Sequence, residues 1–409
     1  MRLKSTLAAV AALCTVVIAG CGGSSAQPAA TQGEVLLGVP IGTTGANATI
    51  GIEGLKGMQM AVDDINAKGG VNGKALKLAQ IDDAGSAATA STNTRSLVTN
   101  QKVVALFGSS TSSTAAATEA IAGQYQIPFV IWAGADIGLT TKTFNKFTFQ
   151  TKPSTYMEPR AVAQYMATQP YKRYYTVGVD ISYGHNQVDT FLSSLKADGV
   201  TPQVVGQQWP AIGTSDYTSI ITAIAAAKPE FVFTALTGSD LLNFLKQAGA
   251  YKLFQTAKLG VTTGSDLSLA LGTSTPPGTV MWDSAPFFLM DQTAKDFADK
   301  FHSKFGTWPM EWPLMGYAAV QIWAQAAAAA KSFDGTQVAK AMVAKPFSTV
   351  RGQLSFRACD DQALVPTYLW VTASSADPKY GFPLASTSEV ITNDKNMMPC
   401  SDAQALQPK

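Results

Sequence analysis

Residues 103–114 read VVALFGSSTSST, an apolar run of five residues that ends at Gly108 and is followed by six serines and threonines. The run predicts a buried strand, and the hydroxyl-rich segment predicts a loop that leads into a helix over about 114–124. A second apolar run, IPFVIWAG at 127–134, predicts another strand. This order indicates a βαβ unit and therefore a parallel sheet. The loop is compatible with holding a phosphate, attacking a carbonyl or binding a small polar solute.

The same alternation of strands and helices continues on both sides of this unit. It runs from EVLLGVPIG (34–42) to FQTKPST (149–155) and starts again afterwards. Two late strands are predicted in GQLSFRACD (352–360) and TYLWVTA (367–373). The chain exceeds the length at which a single core keeps growing, so two domains are expected. Two open α/β sheets place the loops at their strand ends around a cleft.

The first residues, MRLKSTLAAVAALCTVVIAGCGG, have the layout of an export signal. Two basic residues precede an apolar stretch over 7–19 that is too short to span a bilayer as a permanent helix. The residues before Cys21 are similar to a bacterial lipobox, so we predict a signal peptide over 1–20, lipidation of Cys21 and a flexible tether over 21–33. An ordinary signal peptide with an incidental cysteine is the alternative. The body is expected outside the cytoplasm, anchored by lipid to the cell envelope.

Charge and cysteine usage narrow the class of protein further. Without residues 1–20 the chain carries 28 basic and 28 acidic residues, since the signal holds two of the 30 basic ones. A neutral chain without a basic cluster argues against nucleic acid as a partner. Cys14 is lost with the signal and Cys21 carries lipid. Cys359 and Cys400 remain in an oxidising compartment, so a disulfide is predicted, with two free buried thiols as the alternative.

Motifs for catalysis and cofactor binding are missing from the sequence. No strand is followed by a P-loop or a Rossmann turn, and no H-E-x-x-H, C-x-x-C or calcium-loop spacing occurs. Neither a cofactor nor a metal is therefore expected. The Ser/Thr loop lacks a G-x-S-x-G elbow, and the two histidines, His185 and His302, are far from it in sequence. We predict that the protein is not an enzyme, with a secreted hydrolase that pairs Ser112 with His185 as the alternative.

The Ser/Thr loop is suited to binding a carboxylate. Free N–H groups and the helix dipole gather where the loop enters its helix, and the hydroxyls of Ser110 and Ser112 can donate as well. A capping run without a ligand is the alternative, although one residue is enough for a cap. The next loop, WAGAD (132–136), is expected beside it. Residues that follow strands of the second unit are expected to face this loop across the cleft: Tyr183 as a lid, Thr237 and Thr263.

Several segments together resemble the branched-chain amino-acid type of periplasmic solute-binding protein, a component of ABC importers. They are GVPIGTTGANATIG with GMQMAVDDINAKGGVNGKALKLAQIDDAG, VVALFGSSTSST with QIPFVIWAGA, DISYGHN, and SDYTSIITAIAAAKPEFVFTALTG. The resemblance implies a type I periplasmic-binding-protein fold, in which two Rossmann-like α/β lobes are joined by a three-segment hinge and hold the ligand between them. The implied lobes are 34–150 with 285–355, and 151–284 with 356–409, with crossings near 150–154, 282–287 and 355–361.

The resemblance also assigns site residues. The family's carboxylate-binding serine falls on Ser112, its next-loop backbone contact on Ala133 and its lid tyrosine on Tyr183. Four positions depart from the family pattern: Ala135 replaces a threonine, Thr263 replaces the acid that commonly holds the ligand's α-ammonium group, and Ile50 and Thr237 replace tyrosines. Without that acid, an ammonium group loses its charge-assisted partner. Two acids nearby in sequence are candidates to substitute for it: Asp136 and Asp266.

The implied function is capture of a small carboxylate by hinge closure, for delivery to an ABC permease and its ATPase. The solute is a branched-chain or other amino acid, or an aromatic or other organic acid, because RACDDQALVPTYLW (357–370) is similar to relatives that bind such acids. The family also implies a monomer. A ligand sensor of the same fold, similar to amide-binding sensors, is the alternative.

Overall fold

The structure, a computed structural model, describes residues 33–392 and 396–409. The predicted signal peptide (1–20), Cys21 and the predicted tether as far as residue 32 lie outside the described residues. In the described part of the chain, no helix is long and apolar enough to cross a membrane.

The strands and helices alternate through most of the chain, as the apolar runs predict. The strands are β1 (Glu34–Ile41), β2 (Ala75–Asp82), β3 (Ala105–Gly108), β4 (Phe129–Ile131), β5 (Thr148–Gln150), β6 (Arg173–Gly178), β7 (Gln203–Gln208), β8 (Phe231–Ala235), β9 (Lys258–Val261), β10 (Val280–Asp283), β11 (Phe347–Thr349), β12 (Gly352–Leu354), β13 (Thr367–Thr372) and β14 (Ala385–Ile391). The helices are α1 (Ala48–Asn66), α2 (Ala87–Thr99), α3 (Ser112–Tyr125), α4 (Met157–Ala167), α5 (Ser182–Ala197), α6 (Thr218–Ala227), α7 (Gly238–Ala250), α8 (Gly264–Leu271), α9 (Gln292–Phe305), α10 (Glu311–Ala330), α11 (Gly335–Met342) and α12 (Cys400–Ala405).

Two separate sheets confirm the prediction of two α/β units. The first is parallel throughout, with the order β2-β1-β3-β4-β5. The second has the order β14-β13-β10-β9-β8-β6-β7, in which β13 runs antiparallel to both of its neighbours. Each sheet has its own buried apolar core. The parallel strands place their carboxyl ends, and the loops that follow them, at one edge of each sheet.

The chain passes between the sheets at three places. It leaves the first sheet after β5, returns after β10 to add α9, α10 and α11 to the first core, and leaves again after β12 for β13. Phe382, in the segment after β13, packs against the first core, although β13 and β14 belong to the second sheet. The lobe boundaries implied by the resemblance stay a prediction.

Helices α1 and α10 pack unusually closely against each other in the first lobe. A Cβ atom added at Gly57 would lie 2.0 Å from the carbonyl oxygen of Pro313, and one added at Gly316 would lie 2.4 Å from that of Gly54. At Gly54 itself, an added Cβ would lie 2.1 Å from the ring of Trp132, at the end of β4. These three glycines therefore allow the two helix backbones to touch, which fixes α10 against the sheet.

The late part of the chain differs from the sequence prediction. The strand predicted over 352–360 is limited to Gly352–Leu354, and it pairs with β11 in a hairpin of its own. Cys359 lies beyond this hairpin and forms a disulfide with Cys400, with their Cα atoms 5.8 Å apart. Gln407 also donates to the carbonyl oxygen of Cys359, at 2.7 Å. The disulfide attaches α12, and with it the C-terminal tail of the chain, to the third crossing between the sheets.

Glu119 is a buried acid on α3 that gives the first lobe a pH-dependent stability. Its side chain accepts a hydrogen bond from the Thr143 hydroxyl at 2.6 Å, and burial raises its pKa to about 8. The folded protein therefore keeps this group protonated at pH values where the unfolded chain, near pKa 4.5, does not. The contribution of Glu119 to the free energy of unfolding is therefore fully present below pH 4.5 and is lost as the pH rises towards 8.

We expect Glu119→Gln to remove this dependence, because glutamine keeps the shape and cannot ionise. The melting temperature of the variant should match that of the wild type near pH 4.5 and exceed it increasingly up to pH 8. Thermal melts over this range measure it, with the exposed Glu389→Gln as the control. A difference in melting temperature that does not change with pH would contradict the assignment.

Candidate functional site

A small cavity lies between the two lobes, at the carboxyl ends of their strands. This first chamber has a volume of about 50 Å³ and is lined from both lobes. Its lining residues are Asn47, Ile50, Ser110, Thr111, Ser112, Ala133, Ala135, Lys152, Val179, Ile181, Tyr183, Ile212, Thr237, Asp240, Thr263 and Trp312. The position matches the general rule that open α/β sheets bind ligands beyond their strand ends.

The structure brings all the residues predicted as ligand contacts to this one chamber. They are Ser110, Ser112, Ala133, Ala135, Tyr183, Thr237 and Thr263. Their role in ligand binding stays a prediction, because their shared position shows proximity and not binding. Outside the Ser/Thr loop, sequence reasoning missed four lining residues that carry polar or charged groups: Asn47, Lys152, Asp240 and Trp312. Lys152 is the second residue after β5, so its place near a strand's carboxyl end was the one available signal.

Helix α3 begins at Ser112, slightly earlier than predicted, and presents its N-terminus to the chamber. Thr111 is its N-cap and accepts from the backbone N–H of Thr114 at 3.2 Å. Because Thr111 provides the cap, the hydroxyls of Ser110 and Ser112 are not needed for it. The hydroxyl of Ser110 is buried and has no hydrogen-bond partner among the described residues. A donor without a partner beside a helix N-terminus favours an anion.

Ser112 joins the first two loops of the site. Its hydroxyl oxygen accepts from the backbone N–H groups of Ala135, at 3.2 Å, and Asp136, at 3.1 Å. These two bonds use both lone pairs, so the hydroxyl hydrogen is what remains for a ligand. The side chain can therefore act towards a ligand as a donor, while it holds the 132–136 loop in place.

The second lobe contributes residues from the starts of three helices. Tyr183 lies in the first turn of α5 and is 9% exposed, so the predicted exposed lid is a buried side chain in this closed arrangement. Burial keeps the pKa of its phenol above the ordinary value, so it stays a neutral donor. Thr237 precedes α7, and Thr263 precedes α8 with φ +50°. The left-handed backbone of Thr263 is strained, since the residue is β-branched.

The two lobes also touch at the rim of the chamber. Asp136 accepts from the hydroxyl of Ser182 at 2.7 Å and from the amide of Asn186 at 3.1 Å, both on α5. Asp136 also accepts from the backbone N–H of Gly138 at 2.8 Å. Asp136 is one of the two acids that the sequence offers in place of the family's acid that holds the ligand's α-ammonium group. The structure instead places it outside the chamber lining, as a bridge between the lobes.

Lys152 is a buried cation at the junction of the lobes. Its ammonium group lies 2.9 Å from Glu158 Oε1, 3.3 Å from Glu311 Oε1 and 2.9 Å from Ser284 Oγ. Its three hydrogens are therefore all directed at partners. Burial lowers its pKa, but Glu158 and Glu311 outweigh this and raise it above the ordinary value, so the group remains charged. The same ammonium lies over the Trp312 ring, 5.2 Å from its centroid.

Further contacts tie the remaining crossings to Lys152. Arg351 donates to the carbonyl oxygens of Thr151, at 2.8 Å, and Ser284, at 3.2 Å. Gln362 donates to the carbonyl oxygen of Lys152 at 2.9 Å, and the Ser284 N–H donates to Glu311 at 2.9 Å. The group of Lys152, Glu158, Ser284, Glu311, Arg351 and Gln362 is called the hinge cluster below. It connects the segments that follow β5, β10 and β12.

Two more acids, the half-buried Asp266 and the buried Asp283, lie next to the hinge cluster. Asp266 accepts from Trp312 Nε1, and Asp283 accepts from the backbone N–H of Ser265 at 2.8 Å. Burial, reinforced by Glu311, raises the pKa of both Asp266 and Asp283 well above the ordinary value. Burial lowers the pKa of Arg351 to about 10, although the nearby Glu311 acts in the opposite direction. Acids thus outnumber bases here, and burial favours the neutral form of Asp266 and Asp283.

The histidines do not meet the serine cluster. His185 stacks on Trp209, with ring centroids 4.0 Å apart, and its Nε2 lies 2.8 Å from Asp180. His302 stacks on Trp308 at 4.1 Å. Neither histidine lines the first chamber. Within residues 33–392 and 396–409, no three His, Cys, Asp or Glu side chains form a group that could hold a metal ion.

Comparisons with known proteins agree with this geometry. A family model described as periplasmic binding protein matches residues 34–376. The Leu/Ile/Val-binding protein homolog 1 of Brucella abortus is 26% identical over 356 residues, which are 85% of this chain and 93% of that protein.

Two solved structures share the fold. A solute-binding protein of an ABC transporter from Rhodopseudomonas palustris, in complex with 3,4-dihydroxybenzoic acid, has a TM-score of 0.80 and 18% identity, covering 88% of this chain and 98% of that one. The branched-chain amino acid transporter substrate-binding protein LivJ from Streptococcus pneumoniae, in complex with isoleucine, has a TM-score of 0.76 and 21% identity, covering 88% and 99%.

We expect Lys152→Met to destabilise the protein strongly, because it leaves Glu158 and Glu311 buried without their cation. Breaking such a pair costs about 3–5 kcal/mol of the free energy of unfolding. Chemical denaturation at pH 7 measures the loss, which should shrink at lower pH as Glu158, whose pKa is raised by burial, becomes protonated. The exposed Lys340→Met is the control. Equal stability of both variants would contradict the assignment of the hinge cluster.

Proposed function

We propose that this chain is an extracytoplasmic receptor for a small carboxylate solute. The chain belongs to the periplasmic binding protein family and is of its branched-chain amino-acid type. The solute is captured between the lobes and delivered to an ABC permease and its ATPase. The protein acts as a monomer, held to the envelope by lipid at Cys21. The solved neighbours were determined with isoleucine and with 3,4-dihydroxybenzoic acid, so amino acids and aromatic acids are the two classes to compare.

The observation that carries the proposal is the donor set at the start of α3. Ser110 offers a buried hydroxyl without a partner, and Ser112 has its hydroxyl hydrogen left to donate. Both line a chamber that is enclosed by the second lobe through Tyr183, Thr237 and Thr263. Uncharged donors and a helix dipole bind a carboxylate reversibly, as transport requires.

The same geometry supports binding without turnover. The Ser112 oxygen already accepts from two backbone N–H groups, and His185 is engaged by Trp209 and Asp180 outside the chamber lining. A serine nucleophile needs a base within hydrogen-bond reach. Ser112 and His185 do not provide that pair in this arrangement, which favours a receptor over a hydrolase.

A binding screen with the purified protein tests the proposed function. Isothermal titration calorimetry against L-amino acids, primary amides and aromatic carboxylates should show saturable binding to at least one carboxylate. The matching amides should bind more weakly, since they lack the negative charge that the start of α3 favours. If no carboxylate binds, or if the amides bind as tightly, the proposed function is wrong.

We expect Ser112→Ala to weaken binding of that carboxylate about tenfold, because it removes one hydrogen bond to a charged group and releases the 132–136 loop. Ser113→Ala is a matched control, since Ser113 is the next residue, is exposed and does not line the first chamber. Dissociation constants for both variants measure the effect. An unchanged constant for Ser112→Ala would remove this residue from the site.

A further inference from the structure

A second chamber adjoins the first one, because Ile50 and Thr263 line both. Its volume is about 200 Å³, compared with about 50 Å³ for the first chamber. Its wall includes five apolar side chains, Leu241, Leu242, Leu267, Ala270 and Met310, together with the hydroxyl-bearing Thr49 and Ser239. A solute whose carboxylate lies at the start of α3 therefore finds room for an apolar body in the second chamber.

Asp266 adds a polar group to the wall of this second chamber. Its Oδ2 accepts from Nε1 of Trp312, which belongs to α10 of the other lobe. Its Oδ1 is buried and has no hydrogen-bond partner among the described residues. An unpaired buried oxygen of this kind costs free energy that a ligand can recover. Because Trp312 comes from the first lobe, the carboxyl group is oriented where the lobes meet.

The surroundings of Asp266 determine what kind of group it suits. Burial and the nearby Glu311 raise its pKa well above the ordinary value, which favours the protonated, neutral form of the carboxyl group. A neutral carboxyl group can both donate and accept a hydrogen bond. A hydroxyl group has the same two capacities and is therefore its natural partner, whereas a second carboxylate would be repelled by Glu311.

We propose that the solute is an apolar carboxylate with a hydroxyl group at its far end, and that Asp266 binds this hydroxyl. The inference rests on the proposed function, since it takes the carboxylate to lie at the start of α3. Asp266 then determines specificity: a solute without the hydroxyl fills the same space but leaves Oδ1 unpaired. Sites built to pair with a hydroxyl discriminate strongly against analogues that lack it.

Three pairs of compounds test the proposal, each differing by one distal hydroxyl group. They are benzoate and 4-hydroxybenzoate, 3-phenylpropionate and 3-(4-hydroxyphenyl)propionate, and L-phenylalanine and L-tyrosine. In calorimetry with the wild-type protein, the hydroxylated member of at least one pair should bind about tenfold more tightly than its partner. The three pairs differ in length and in the α-amino group, so the pair that responds also defines the body of the solute.

Variants then connect this preference to Asp266. In Asp266→Ala the preference should fall to less than about twofold, through loss of affinity for the hydroxylated member. Asp283→Asn is the matched control: Asp283 is also buried beside Glu311 and bonded to α8, but it lines neither chamber. It should keep the preference. Melting curves of each variant establish that it is folded, and Asp266→Asn provides a second, isosteric variant.

The outcomes separate this inference from the proposed function. If carboxylates bind the wild type but no pair shows a preference, the inference is wrong and the proposed function stands. A preference that survives in both Asp266→Ala and Asp266→Asn also overturns it. The same holds for an equal loss in Asp283→Asn, which would make the effect one of the buried acid cluster as a whole. If no carboxylate of the wider screen binds, the proposed function fails and the inference fails with it.

Discussion

The burial of one charge, on Lys152, is the constraint on which the rest of the site depends. A buried ammonium group is tolerated only where acids and further hydrogen bonds compensate for its lost hydration. Here the compensating groups come from α4, from the segment after β10 and from the start of α10, so the cation needs both lobes to be in place. Lys152 also lines the first chamber. The three crossings and the lining of the first chamber therefore depend on the same buried charge.

The two sides of the cleft have opposite hydrogen-bonding character. The first lobe presents donors: the hydroxyls of Ser110 and Ser112 and the N-terminus of α3. The second lobe presents carboxyl groups, in Asp240 and Asp266, each with one buried oxygen that has no partner among the described residues. A solute with one polar end is held mainly by the first lobe. A solute with two polar ends also hydrogen-bonds to the second lobe and therefore stabilises the closed arrangement of the lobes.

Local features were predictable from the sequence, and distant pairings were not. The apolar run before Gly108 and the hydroxyl-rich run after it predicted β3, the site loop and α3 correctly, because strand, loop and helix preferences act between near neighbours. Lys152 lay in a segment that looked like a connection, and its partners Ser284 and Glu311 are 132 and 159 residues away. Nothing in the local composition of a lysine indicates burial of this kind. The exposure of Tyr183 was misjudged for the same reason, since its cover comes from elsewhere in the chain.

The two backbone N–H groups that donate to Ser112 restrict which ligand atoms can hydrogen-bond to this side chain. Because the hydroxyl oxygen has no lone pair left, the Ser112 side chain can only donate a hydrogen bond to a ligand. The ligand atom next to it must therefore be an acceptor. A carboxylate satisfies that condition with either of its oxygens, whereas a primary amide does so in one of its two orientations and an alkylammonium in none. Ser112 thus selects for a hydrogen-bond acceptor at this point of the chamber, independently of the shape or net charge of the ligand.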